Sequence, residues 1–373
     1  MAGAVRLMQT ITRAYRGEPD PPDPLPLAET RDLGTLLAPK SRAEKWSRHL
    51  EGVRRVREAL DAPSRIAVVG GRGGDGFGFV RRTLDIGEDT TPVLVHRDAG
   101  TTINDVLLAA LHLTVQEWNT RHNGPTGRVA VMMPVNVRPP ERFWEVVSNL
   151  TSMVSVSTTA AERADLATAA AAVAEQTNPV RRKDRAYGLH DLLSLTRKAP
   201  LLFKRAAPRL LPFVNDRFVD TAMLSNLGRL PEPPSFDADP DTSAAQLWFS
   251  PPCDPACSVA IGVATSGSRL ALVTRYRNQQ FDARAAEEFT DLLIAHLTPP
   301  AADLACAHPG SRPTTPAVRL MSILPAPGPY PDRPGGSGVT PRRWRGAAVG
   351  AWSDWSPALS ENHQEAAVAG HPG

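Results

Sequence analysis

The sequence predicts an α/β fold with a mixed sheet and flanking helices. Three observations carry this. Residues 129–138 form a nearly continuous apolar run, the pattern of a strand buried on both faces. Residues 258–264 and 270–276 are apolar strands joined by Ser266-Gly267-Ser268 in hairpin fashion. Helical periodicity surrounds them, led by Val106-Leu107-Leu108-Ala109-Ala110-Leu111, and the alternation follows no strict βαβ order.

Taken in order, residues 5–15 place Met8, Ile11 and Tyr15 at helical spacing, with Leu7 and Ala14 alongside and Gly17 as a stop. This amphipathic helix is expected to bury that stripe, and a Pro-rich stretch, residues 19–24, follows it. A second helix is predicted over 42–60, with Trp46, Leu50, Val53 and Val56 on one side. Ile66-Ala67-Val68-Val69 enters a Gly-rich loop, and 77–85 reads as a strand beyond it. Thr101 or Thr102 suits the N-cap of the next helix, with Asn104 and Asp105 in its first turn and Trp118 near its end.

After 129–138, the latter part of 146–156 alternates as a strand does. An Ala-rich helix is predicted over 161–176 and a Pro-interrupted helical region over 189–214. Strands return at 221–227, 245–249, 258–264 and 270–276, and Asp282 caps a final helix, 283–297. Beyond Pro299 the composition shifts to Pro, Gly, Ala, Ser and Arg. Such a segment buries too little apolar surface to offset its ordering entropy, so a disordered tail is expected, Trp344, Trp352 and Trp355 included.

Bulk properties narrow the function. A chain of 373 residues with 42% hydrophobic residues suits one large or two medium lobes, since single cores stop growing near roughly 250–300 residues. A net charge of +3, from 42 basic and 39 acidic residues that are interspersed, gives no nucleic-acid reading. Cys253, Cys257 and Cys306 are too few for a disulfide framework, and no run approaches the ~18 apolar residues of a transmembrane helix. The first residues lack an apolar signal core, so a cytoplasmic protein is expected.

Several motifs compete. Gly71-Arg72-Gly73-Gly74-Asp75-Gly76 matches the dinucleotide-binding G-x-G-x-x-G and follows an apolar run, with Asp98 at the distance of a ribose-binding acid. Those glycines would have to open a helix, yet Phe77-Gly78-Phe79-Val80 continues as strand, so a surface loop is the better reading. Cys253 and Cys257 lack further ligands nearby, which argues for two buried reduced thiols and no metal. No G-x-S-x-G is present for nucleophilic hydrolysis. The basic runs 54–55, 81–82 and 181–183 read as solvated faces.

Four segments, in order and spacing over residues 65–297, resemble the superfamily of chloramphenicol acetyltransferase-like enzymes. This includes peptide-synthetase condensation domains, wax ester synthase/diacylglycerol acyltransferases and alcohol acetyltransferases. Thr102-Ile103-Asn104-Asp105-Val106 is similar to the helix that opens their second lobe. Met133-Pro134-Val135-Asn136-Val137-Arg138 resembles their P-V-(S/N)-x-R strand, and Ser148-Asn149-Leu150 the element after it. Ser225-Asn226-Leu227-Gly228 resembles the S-N-x-G segment near the channel between lobes.

The resemblance implies a CoA-dependent acyltransferase-like lobe at 93–298, preceded at 1–92 by an incomplete N-terminal, donor lobe and followed at 299–373 by the tail. It implies transfer of an acyl group from a thioester to an alcohol or amine, the donor being acyl-CoA or a phosphopantetheinyl carrier protein. It places Ser225 and Asn226 at the substrate channel and gives Asn104, Asp105, Arg138 and Asn149 structural or lobe-bridging roles. The general base of the family is a histidine in His-His-x-x-x-Asp-Gly. None of the nine histidines here (49, 96, 112, 122, 190, 296, 308, 363 and 371) adjoins another. The first helix resembles the one that follows that motif, so the expectation is a misplaced start codon or a real truncation. The chain is expected to be inactive as given, with no catalytic residue assigned. A non-catalytic scaffold that binds a carrier protein or a homologue is the alternative.

Overall fold

The computed structural model describes residues 2–19, 38–39, 41–58, 61–71, 75–86, 100–137, 150–181, 200, 220–230, 236, 247–252 and 257–298. The described helices are α1 (Ala2–Arg16), α2 (Arg42–Glu58), α3 (Ile103–Arg121), α4 (Leu166–Arg181) and α5 (Ala283–Leu297). The strands are β1 (Phe77–Asp85), β2 (Val129–Asn136), β3 (Thr151–Thr158), β4 (Ala222–Arg229), β5 (Val259–Ser266) and β6 (Arg269–Arg277). They form one six-stranded sheet in the order β1-β6-β5-β4-β2-β3. Parallel pairing joins β2 to β4 and β4 to β5; the other neighbours are antiparallel, so the sheet is mixed. Strand β1, from before residue 92, supplies the sheet's first edge.

Helix α3 begins where its capping chemistry dictates. The Thr102 hydroxyl accepts from Asp105 N at 3.3 Å, and the Asp105 carboxylate accepts in return from Thr102 N at 2.7 Å. Val106 to Leu111 are then buried on every side, as a helix apolar all round must be. It packs with α5 on one face of the sheet, where Trp118, Phe281 and Phe289 meet with ring centroids 5.2, 5.5 and 5.3 Å apart. Asp282 caps α5 by accepting from Ala285 N at 2.8 Å. Strand β3 alternates strictly between half-buried and buried residues. The β5–β6 hairpin turns through Gly267, whose φ of 56° suits glycine.

The Gly-rich loop has a packing explanation. A Cβ on Gly70, at φ 65°, would lie 2.0 Å from an Asp282 oxygen, and one on Gly71 would lie 2.2 Å from the Gln279 carbonyl oxygen. These glycines let the loop press against the start of α5, and the chain then enters β1. A dinucleotide turn would open a helix there instead.

Several expectations need correction. Helix α1 forms, but the stripe predicted to be buried (Leu7, Met8, Ile11 and Tyr15) is exposed, while Val5, Arg6, Gln9 and Thr12 are buried. The inward side is thus the one bearing Val5, Gln9 and Thr12, at i, i+4 and i+7. In α2 the apolar residues Trp46, Leu50 and Val53 are exposed too. The predicted Ala-rich helix is split, with a 3₁₀ turn at Ala161–Arg163 before α4. Of the predicted strand 245–249, residues 247–249 have no strand pairing and 245–246 lie outside the described residues. The predicted helical region 189–214 (where Pro200 alone is described), Cys253 and the tail lie outside the described residues.

Candidate functional site

The two faces of the sheet differ. One carries Val80, Leu84, Val131, Leu224, Ile261 and Leu272 into the main core beneath α3 and α5. The other carries Met223, Ala260 and Cys257, with Phe77 and Met132 packed around them. Ser225 is on this second face, since it pairs with Gly262 as Met223 pairs with Ala260. It is buried, and the 249–251 segment passes over its neighbour: a Cβ on Gly262 would lie 2.4 Å from the Phe249 carbonyl oxygen and 2.8 Å from Pro251 Cδ. Glycine at 262 therefore makes room for a crossing chain beside Ser225.

Asn226 ends the strand's regular course. Its Oδ1 accepts from Gly228 N at 2.8 Å, Gly228 has φ 71°, and the β4–β5 register shifts between Asn226 and Arg229. The SNxG sequence thus builds a buried hydroxyl followed by a turn that re-aims the strand end.

The remaining predicted residues do not join Ser225. Asn104 Nδ2 lies 2.8 Å from Met133 Sδ, on the helical side of the sheet. Asp105 is fully buried and accepts from Thr102 N at 2.7 Å, from Thr102 Oγ1 at 2.8 Å and from Thr177 Oγ1 at 2.5 Å. Its carboxylate is thereby occupied in joining α3 to α4. Arg138 and Asn149 lie outside the described residues.

Three polar groups that the sequence did not single out lie in the helical layer. Arg163 is almost wholly buried. Its Nε donates to Gln116 Oε1 at 2.8 Å, and its terminal nitrogens donate to the carbonyl oxygens of Thr158, Thr126 and Gly127 at 2.5, 2.9 and 2.6 Å. His112 is fully buried, with Nδ1 2.9 Å from Thr158 Oγ1. Burial first, and the Arg163 charge second, push its pKa down to about 3, so the ring is neutral near pH 7. His296 Nε2 lies 3.0 Å from Glu117 Oε2, and burial lowers its pKa against the pull of that carboxylate. Neither ring lies on the Ser225 face, because both belong to helices of the opposite layer. Among the described residues no group of three His, Cys, Asp or Glu side chains could hold a metal ion, and no helix is long and apolar enough to cross a membrane.

No family model matches the chain. Uncharacterized proteins Rv2305 and MT2362, from two strains of Mycobacterium tuberculosis, are each 33% identical to it over 293 residues, or 78% of this chain and 67% of theirs. The chain belongs to the Rv2305 family. Among solved structures, this Rv2305-family chain resembles the EpoB cyclization-docking bidomain of a non-ribosomal peptide synthetase from Sorangium cellulosum. That match has TM-score 0.54 and 14% identity and covers 80% of this chain and 57% of the bidomain. It also resembles the starter condensation domain of rhizomide synthetase in complex with C8-CoA and Leu-SNAC, with TM-score 0.51 and 12% identity, covering 80% of this chain and 62% of that one. The first condensation domain of the calcium-dependent antibiotic synthetase matches with TM-score 0.51 and 11% identity, covering 79% and 60%. The fold is therefore condensation-domain-like, and the Rv2305-family chain spans less than two thirds of these solved chains.

Proposed function

We propose that this chain is a condensation-type acyltransferase family member built to join an acyl thioester to an alcohol or amine, and that these 373 residues alone do not turn over. The observation that carries the reading is the placement of the SNxG strand β4 in a condensation-domain-like sheet, with Ser225 beside a crossing chain at Gly262. Acyl transfer of this kind needs a general base on the acceptor, worth roughly 10²–10⁴-fold. No His-His-x-x-x-Asp occurs in the sequence, and the described histidines of the helical layer are engaged elsewhere.

In this reading residues 1–92 belong to the first lobe and 93–298 to the second, with β1 crossing over to edge the second lobe's sheet, and 299–373 are the tail. Ser225 and Asn226 line the channel, and Arg138 and Asn149 support it. The donor is an acyl-CoA or a carrier-protein thioester, and the work is cytoplasmic. The test is release of free thiol from octanoyl-CoA in the presence of amine and alcohol acceptors. The expected rate equals the uncatalysed one, and turnover well above it refutes the inactivity.

A second reading, a non-catalytic scaffold that holds a carrier protein or a homologue, is favoured by the continuous core of the sheet and its helices despite the missing base. Titration with a phosphopantetheinylated carrier protein in a calorimeter tests it, and absence of heat at high micromolar concentration counts against it.

A further inference from the structure

The β1–β6 end of the Ser225 face, where Val273 and Ala271 are buried but Phe79 is exposed, carries guanidinium groups and aromatic rings in register. Phe77 pairs with Arg277, Phe79 with Arg275 and Arg81 with Val273, so these side chains share the face opposite α5. Arg275 Cζ lies 4.1 Å from the Phe77 ring centroid and 5.4 Å from that of Phe79, and Arg81 Cζ lies 5.5 Å from that of Trp248. Phe79 is 53% exposed and Trp248 48%. The only acid among β1 and β6 positions on this face is Asp85 at its far end, beside Arg269 at 4.0 Å. Among the described residues neither Arg81 nor Arg275 has a carboxylate partner, and the buried Arg275 Nε has no hydrogen-bond acceptor.

We propose that this face docks an acidic protein segment, whose carboxylates pair with Arg81 and Arg275 while its apolar side chains cover Phe79 and Trp248. Charge complementarity is the first argument, since Arg81 and Arg275 stand away from Asp85, the one acid of the β1 and β6 positions on this face, and so attract carboxylates and repel basic partners. Composition is the second: exposed Trp and Phe beside Arg is the make-up of interface hot spots. A nucleic-acid strand fits less well, because Arg275 already lies over the Phe77 and Phe79 rings on which bases would stack. The proposal is independent of acyl transfer and stands or falls on this patch.

The test is fluorescence anisotropy with three labelled probes. They are an amphipathic helical peptide with Glu on one face and Leu on the other, its Lys-for-Glu counterpart, and single-stranded oligothymidylate. The Glu peptide is expected to bind in a salt-sensitive way and to lose about tenfold in affinity in Arg81→Glu and in Trp248→Ala. Both positions are partly exposed, and an unchanged melting temperature shows that each variant is folded. The proposal is overturned if the Glu peptide does not bind, if the Lys peptide binds as well, or if folded variants bind like wild type. Tighter binding of the oligonucleotide with the same sensitivity to both variants also overturns it, in favour of a nucleic-acid platform.

Discussion

Thr177 donates its hydroxyl to the fully buried carboxylate of Asp105 at 2.5 Å, joining the middle of α4 to the first turn of α3 across 72 positions of sequence. The same carboxylate closes the capping box with Thr102, so one side chain serves both the helix start and the packing of two helices. Thr177→Val keeps the shape and leaves the carboxylate short of one donor. The expected loss is about 1–3 kcal/mol in urea denaturation. Asp105→Ala, which also removes the cap, is expected to cost more than Thr177→Val, and the two losses should not add.

Arg163 offers a second test. Its guanidinium bonds Gln116 on α3, the end of β3 and the 126–127 turn together. Lysine keeps the charge but has a compact ammonium in place of the planar fork of donors. Arg163→Lys is therefore expected to lower stability by at least ~2 kcal/mol, because buried carbonyl oxygens lose their donors. Comparison of Arg163→Lys with Arg163→Met by thermal melting checks this, and recovery of wild-type stability by lysine would contradict it.

His112 sets a pH dependence. In the unfolded chain it takes a proton near its ordinary pKa of 6.5, and in the folded chain only near about 3. Between those values unfolding takes up a proton, so the stability due to this site is complete above about 6.5 and falls as the pH drops towards 3. Urea titrations from pH 4 to 7 should show this slope in the wild type and a shallower one in His112→Gln.

Gly78 faces Tyr276 across the β1–β6 pair, and a Cβ there would lie 2.1 Å from the ring's Cζ. Gly78→Ala is expected to cost about 1–3 kcal/mol through overpacking. Tyr276→Leu should relieve much of that, so the double variant would be less unstable than the two single losses combined. Equilibrium denaturation of all four proteins measures the coupling.

Much of the layer structure was legible because it rests on local rules. Thr102, Asp105 and Asp282 announce helix starts by capping chemistry, and the 151–158 alternation and the hairpin at Gly267 follow from strand geometry. What was not legible depends on partners far away in sequence. Leu7, Met8 and Ile11 form a convincing apolar stripe, yet spacing alone cannot say which side of α1 meets the protein. Residues 247–250 have strand-like composition but cross the sheet at Gly262 instead of pairing with it. Ser225 could be read as part of a motif, but its separation from Asp105 by the thickness of the sheet required the register of β4 and β5. Arg163 gave no signal, because a lone arginine beside Glu162 reads as surface.

The parallel seam between β2 and β4 has a consequence for how the protein forms. Its register runs over Val131↔Ala222 and Met132↔Met223, extended by Thr221, which accepts from Ala130 N at 3.1 Å and donates to the Ser64 carbonyl oxygen at 2.8 Å. The β5–β6 hairpin needs only a tight turn, whereas this seam must close a loop of some ninety residues for a few backbone bonds. Assembly should therefore finish at Thr221, and amide protons at 222–223 should exchange ahead of those in the hairpin, marking the line along which the sheet parts first.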